Sequence, residues 1–263
     1  DCNNYTSYEK DEYILLPGLG FTFEANNENQ LYGGIHMGMA PPAVGDAGYR
    51  QISNLKSQKS FNFELGLINN SFEDKLGLTF ETAAFRTVER DRPVKSSLRT
   101  SGTGSTLKNI GTTFSDGVEF SANWDQSRYS KKLRNWFATL SYSFMYPKLK
   151  THQKGERSSS DAGSPIVVDD IFENDIPFVP RHKGLVTIGY GTPNKWDIST
   201  TARYRGEYFT DIDNTKGIGQ SGRWGQVDDH WIINARGNYT LSRFNNSTLY
   251  LSLTNIFDTV YIA

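Results

Sequence analysis

A chain of 263 residues with 28 basic and 29 acidic side chains has a formal net charge of −1 and no general attraction for nucleic acid. Its single cysteine, Cys2, excludes an internal disulfide framework and any metal site built from several thiolates. Hydrophobic residues make up 37% of the chain and the mean hydropathy is −0.56, and no run approaches the roughly 18 apolar residues of a membrane helix. A soluble β-protein and a membrane β-barrel both fit these values, because barrel strands alternate and have little net hydropathy.

Alternation of apolar and polar residues predicts about ten strands along the chain. In chain order they cover 12–25, 30–40, 60–67, 75–88, 117–124, 136–146, 184–191, 196–208, 231–242 and 249–254. The clearest is 196–208, in which Trp196 and Ile198 share one face while Arg203 and Arg205 share the other. The fold class predicted is therefore all-β.

The polar faces of these strands carry many charges, which a sandwich core could bury only at a steep desolvation cost. They include Glu64, Glu119, Asp197, Arg203, Arg205 and Arg236. In a soluble sandwich the apolar faces of two sheets would meet, whereas in a membrane barrel they face lipid and the charges line the lumen. Aromatic residues at the strand ends favour the barrel, because they form two girdles. Trp124, Trp136 and Trp196 lie beside short turns, and Tyr208 and Trp231 lie beside long loops.

Connection lengths also favour an antiparallel up-and-down barrel. Short connections at 26–29, 68–74, 125–135, 192–195 and 243–246 alternate with long ones at 41–58, 89–108, 147–183 and 209–230. One rim with short turns and one with long loops is typical of outer-membrane barrels, and a sandwich has no reason to alternate in this way.

Five stretches in the same order resemble those of TonB-dependent outer-membrane receptors. They are LYGGIHMGMAPP (31–42), LKSQKSFNFELGL (55–67), FSDGVEFSANW (114–124), IPFVPRHKGLVTIGY (176–190) and LSLTNIFDTVY (251–261). The second departs from the family pattern, with Ser57 and Gln58 where Pro and Glu are frequent. Residues 16–42 resemble the ferric citrate type, which makes this type the nearest branch of the family.

The resemblance implies that residues 1–263 are one partial barrel domain, a C-terminal fragment of a plugged barrel of about 22 strands. The plug, the TonB box, the first half of the barrel and the last strand are expected to lie outside it. The implied function is energy-coupled uptake of an iron chelate, of the siderophore or ferric citrate type, across the bacterial outer membrane. The partners implied are the chelate, outer-membrane lipid, and TonB acting through the missing plug; no enzymatic activity and no cofactor are expected. Alternatives are cobalamin or glycan uptake, a passive porin, a barrel hydrolase and a soluble adhesin-like sandwich.

Arginines are the best candidates for holding an anionic chelate, because their planar forks match carboxylates. The predicted ligand-binding residues of the lumen and outer loops are Arg50, Gln51, Arg86, Arg90, Arg92, Arg203 and Arg205. The alternative is that lumen arginines pair with Glu64, Glu81, Glu119 and Glu207. Asp211, Asp213, Asp228 and Asp229 could hold calcium or form a solvated rim, and no catalytic group or metal site is predicted.

Overall fold

The computed structural model describes residues 13–41, 55–95, 107–109, 111–130, 134–152, 170–192, 194–217, 225–243 and 247–261. Its elements in chain order are β1 (Gly18–Asn26), β2 (Asn29–Ala40), β3 (Gln58–Phe72), α1 (Glu73–Leu76), β4 (Leu78–Arg90), β5 (Pro93–Lys95), β6 (Leu107–Asn109), β7 (Thr112–Asp125), β8 (Asn135–Leu149), β9 (His182–Thr192), β10 (Trp196–Arg205), β11 (Tyr208–Phe209), β12 (Gln226–Val227), β13 (His230–Leu241) and β14 (Ser247–Leu253). Within the described residues, no helix is both long enough and apolar enough to cross a membrane.

Ten strands form one antiparallel sheet in the order β1-β2-β3-β4-β7-β8-β9-β10-β13-β14, and two short ribbons, β5-β6 and β11-β12, belong to the long loops. Each strand of the sheet pairs with the next one along the chain, so the predicted all-β, up-and-down architecture is confirmed. Several predicted boundaries were wrong: β1 begins at Gly18, not at residue 12; β4 begins at Leu78, not at residue 75; and β10 ends at Arg205, not at residue 208. Tyr208 lies outside the ten-stranded sheet, and the centroid of its ring is 6.4 Å from that of Phe178.

The sheet has one apolar and one polar face, because directly paired residues of antiparallel strands point to the same side. On the apolar face Leu19 is opposite Ile35, and Ile35 is opposite Phe63. This face is largely uncovered, with Leu19 80% and Leu251 68% exposed. So much exposed apolar surface requires a nonpolar neighbour, which lipid supplies to the outside of a barrel.

Aromatic rings lie at both ends of the apolar face. At the short-turn end, Trp136 packs on Tyr190 with ring centroids 4.8 Å apart, and Tyr190 contacts Trp196 at 6.0 Å. At the long-loop end, Tyr204 and Trp231 pack at 4.8 Å. Tyr208, expected at this end, is instead buried, with 4% of its surface exposed, because it supports the loops.

The short turns contact one another. Helix α1 ends at Gly77, whose φ of 67° is left-handed. The turn at Gln126–Arg128 is capped by Asp125, which accepts a hydrogen bond from the Ser127 amide at 2.8 Å. The amide of Asp125 in turn donates to the carbonyl oxygen of Gly77 at 2.9 Å, so the two neighbouring turns are joined through the main chain.

We expect Gly77→Ala to destabilise this rim. A Cβ at Gly77 would lie 2.1 Å from the carbonyl oxygen of Asp125, and the backbone there is left-handed. Strain of this kind costs about 1–3 kcal/mol. Thermal unfolding of the protein should show a lower midpoint for the variant. Gly217→Ala is the matched control, because a Cβ at that position meets no atom within 4 Å; equal destabilisation by both changes would contradict the assignment.

Candidate ligand-binding site

A groove of about 890 Å³ crosses the polar face of the sheet. Its charged and hydroxyl lining is ordered by strand: acidic side chains on β3, β4 and β7, serines on β7 and β8, and basic side chains on β9, β10 and β13. These residues are Glu64, Glu81, Glu119, Ser121, Ser141, Ser143, Lys183, Arg203, Arg205 and His230. The groove therefore has an acidic half and a basic half, separated by a strip of serines.

Hydroxyl groups, not arginines, are the hydrogen-bond partners of the acidic half. The Tyr32 hydroxyl donates to Oε1 of Glu81 at 2.6 Å. The Ser143 hydroxyl donates to Oε1 of Glu119 at 3.4 Å. The Tyr32 hydroxyl of β2 reaches Glu81 of β4 across the intervening strand β3, whereas Ser143 and Glu119 lie on adjacent strands. These carboxylates are therefore partly satisfied without drawing on the basic half.

The basic half is built by strand register. Arg205 is directly opposite Lys183 on β9 and His230 on β13. Neighbouring strands are about 4.8 Å apart, so these three side chains form one row across the sheet. Arg203 lies on the same face, two residues along β10. The guanidinium of Arg205 lies over the ring of buried Tyr208, 4.3 Å from its centroid.

In the part of the chain that the structure describes, the arginines of the basic half lack acidic partners. Among the residues that the structure describes, neither Arg203 nor Arg205 forms an ion pair. Glu207, one of their expected partners, accepts instead from the amide of Gln226 at 2.6 Å. The alternative in which lumen arginines pair with the glutamates is thus wrong for these two residues in this structure. Clustered cations without carboxylates have the chemistry of an anion-binding site.

Two long connections pack together at the strand ends next to the basic half. Leu149 and Ile171 are buried with Ile176, and Ile212 of the β10–β13 connection packs against them. The main-chain nitrogen of Phe178 donates to the carbonyl oxygen of Phe209 at 2.7 Å. The ends of β8, β9 and β10, and with them the basic row, are held by this small core.

Asp175 is the polar centre of the same region. Its carboxylate lies 2.6 Å from Nζ of Lys148 and receives two hydrogen bonds from Arg181, at 2.9 and 3.0 Å. This contact raises the pKa of the Arg181 guanidinium above its usual value. Asn214 accepts from the amide of Asp175 at 2.6 Å and donates to its carbonyl oxygen at 2.9 Å. One residue therefore links the β8–β9 and β10–β13 connections.

The predicted arginines are divided between the two faces. Arg203 and Arg205 lie on the polar face, in the groove. Arg86 lies on the apolar face, where it forms a bidentate ion pair with Asp116 at 2.6 and 2.7 Å. Arg90 lies on the apolar face too, with its guanidinium 5.6 Å from the centroid of the Phe61 ring.

Of the remaining predicted positions, the structure describes only Arg92, which does not line the groove. Arg92 pairs with Glu89 at 2.9 Å beyond the end of β4. Arg50 and Gln51 lie outside the described residues. Lys183 and His230 were missed by the sequence reasoning. Their placement beside Arg205 depends on register, and the three-residue turn between β9 and β10 was the signal that could have revealed Lys183.

Oxygen ligands for a cation are not assembled in the described part of the chain, where no group of three or more His, Cys, Asp or Glu side chains could hold a metal ion. Asp211, a predicted calcium candidate, caps its own turn: it accepts from the amide of Asp213 at 3.0 Å and from the hydroxyl of Thr215 at 3.1 Å. Its carboxylate is thus committed to the loop conformation.

The ten-stranded sheet, with an apolar outer face and a charged groove on the other, has the properties of a transmembrane β-barrel wall. A family model described as TonB dependent receptor-like, β-barrel, matches residues 2–256. The chain belongs to this family, whose members are outer-membrane receptors.

Solved structures show the same fold. The unliganded ferric citrate transporter FecA matches with a TM-score of 0.71 and 21% identity, over 94% of this chain and 34% of that one. The siderophore receptor PiuA from Acinetobacter baumannii matches at 0.63 and 18%, over 93% and 32%. The copper transporter OprC matches at 0.67 and 15%, over 94% and 34%. The chain spans about a third of the length of each of these proteins.

We expect Asp175→Asn to release the packed connections. Lys148 and Asp175 are each only 8% exposed, so the change leaves a buried cation with a neutral partner. Breaking a buried pair costs about 3 kcal/mol. Hydrogen exchange in the full receptor should show faster exchange at the Leu149 and Ile176 amides, which bond to Asn174 and Pro147.

Glu73→Gln is the matched control for this prediction. It removes the carboxylate from an ion pair with Arg128 whose side chains are 43% and 41% exposed. Pairs of that kind contribute less than about 1 kcal/mol. Unchanged exchange at Leu149 and Ile176 in the Asp175 variant would show that the link does not hold the connections together.

Proposed function

We propose that this chain forms barrel wall of a receptor that takes up an anionic iron chelate of the ferric citrate type across the outer membrane. The observation that supports this most directly is the basic row of Lys183, Arg205 and His230, with Arg203 beside it, on the polar face. The row is accessible from the groove, and neither Arg205 nor the adjacent Arg203 has a carboxylate partner among the described residues.

Carboxylate-rich iron chelates match this arrangement chemically. A guanidinium donates two parallel hydrogen bonds to a carboxylate, and such charge-assisted bonds are stronger than neutral ones. Arg205 is already held over Tyr208, so less side-chain freedom is lost when it binds. Arg203 and Arg205 are therefore proposed as direct contacts of the chelate, with Lys183 and His230 completing the positive wall.

The solved relatives support iron chelates as the ligand class. Two of them are described as a ferric citrate transporter and a siderophore receptor, although another is described as a copper transporter. In the proposed receptor the chelate enters from the long-loop side, and TonB acts through a plug that is not part of this chain. Transport is thus a property of the whole receptor, to which this chain contributes wall and loops.

Replacing Arg203 and Arg205 together by Gln should weaken binding of ferric citrate by the full receptor. Each charge-assisted contact removed is expected to cost about tenfold in Kd. Titration calorimetry on the purified receptor in detergent measures the effect. Arg128→Gln, an exposed arginine at the short-turn rim, is the control and should leave Kd unchanged.

The same titrations separate the alternatives. If the double variant binds ferric citrate as tightly as the parent, the basic row is not the chelate site. Tight binding of cobalamin or a neutral glycan by both proteins would instead favour those ligands. Uptake into cells that continues after TonB is deleted would favour a passive pore.

A further inference from the structure

Three cations of β3 and β4 lie on the apolar face, close to its long-loop end. Lys59 of β3 is directly opposite Arg90 of β4. Arg86, four residues before Arg90 in β4, is opposite Phe63 and Asp116. All three occupy the side of the sheet that also carries Leu65 and Val118, so they belong to the lipid-facing surface and not to the groove.

These cations are only partly neutralised. Asp116 meets the charge of Arg86. Lys59 and Arg90 have no ion-pair partner among the described residues, and like charges directly opposite one another destabilise a sheet. Arg90 lies over the Phe61 ring and Arg86 over the Phe114 ring, at 5.6 and 5.8 Å from the centroids. The patch thus carries an excess positive charge above an aromatic layer.

An apolar groove of about 820 Å³ reaches this patch at Arg86, whereas Lys59 and Arg90 lie four residues further along β3 and β4. Its walls are formed by large apolar side chains, and its floor is lowered by small residues. The walls include Leu19, Ile35, Phe63, Leu65, Val118 and Phe144, and the floor includes Gly34, Ala84 and Gly117. Arg86 and Asp116 line the groove in the same cross-strand row as Phe63 and Tyr146, on the side nearer the long loops.

We propose that this surface binds one lipid with a phosphorylated headgroup, the phosphate over Lys59 and Arg90 and an acyl chain in the groove. The argument is charge complementarity. A phosphate between the two cations removes their mutual repulsion and accepts the hydrogen bonds that they can donate. The groove reaches the patch at Arg86 and has a largely apolar lining suited to a hydrocarbon chain. The inference rests on the membrane placement in the proposed function, but not on the identity of the transported ligand.

The test compares two lipids with identical chains, dipalmitoyl phosphatidic acid and dipalmitoyl glycerol. Native mass spectrometry of the full, delipidated receptor in detergent counts the molecules bound. We expect one phosphatidic acid to bind, and the Lys59→Ser, Arg90→Ser double variant to bind it about tenfold more weakly. The control is Lys75→Ser with Lys195→Ser, which removes two exposed lysines from the opposite rim and should have no effect.

A second variant tests the groove without touching the charges. Ala84→Phe fills the floor and should also weaken phosphatidic acid binding. The proposal is overturned if dipalmitoyl glycerol binds as well as phosphatidic acid, if inorganic phosphate at millimolar concentration displaces the lipid, or if the double variant binds normally. The receptor with Arg203 and Arg205 replaced should retain the lipid, because those residues lie on the other face; the two proposals can therefore fail separately.

Discussion

The cross-strand register of the ten-stranded sheet is the constraint on which the other features depend. Side chains alternate with a period of two, so a slip of one residue would exchange the faces of a strand. In a bilayer such a slip would place Glu64 or Arg203 in hydrocarbon and lose apolar contact area on the same strand. Backbone groups within the membrane must also be paired inside the sheet, since lipid supplies no hydrogen bonds. The register therefore pairs the backbone hydrogen-bonding groups and also places charged side chains such as Glu64 and Arg203 on the polar face.

The two faces of the sheet differ in how their charged side chains are paired. On the polar face, acidic and basic side chains are separated by serines, and the basic half has no carboxylate partners among the described residues. On the apolar face, Arg86 is neutralised by a cross-strand bidentate contact with Asp116. Charge that faces water can remain available for a ligand, whereas charge that faces hydrocarbon must be paired or reach the headgroup region. The same residue type therefore has different roles on the two sides of one sheet.

The sequence alone could assign some of the arginines to a face of the sheet, but not all of them. In β10 the apolar residues are confined to one side, so Arg203 and Arg205 were correctly placed on the polar face. In β4 both sides carry apolar residues, with Phe85 on one and Val88 on the other. Alternation within β4 alone cannot assign Arg86 and Arg90 to a face. Pairing with β3 decides the matter, because Leu65 fixes the side of Ala84 and therefore of both arginines.

Strand type, strand order and turn positions were determined by the sequence itself, because alternation and turn residues act over a few neighbouring positions. The tertiary structure alone decided the neighbours of Arg205, the link through Asp175 and the separation of Tyr208 from β10. These features join residues that are distant in the chain, such as Asp175 and Asn214. A local sequence pattern cannot predict such contacts, since they depend on the register of each strand relative to its partner.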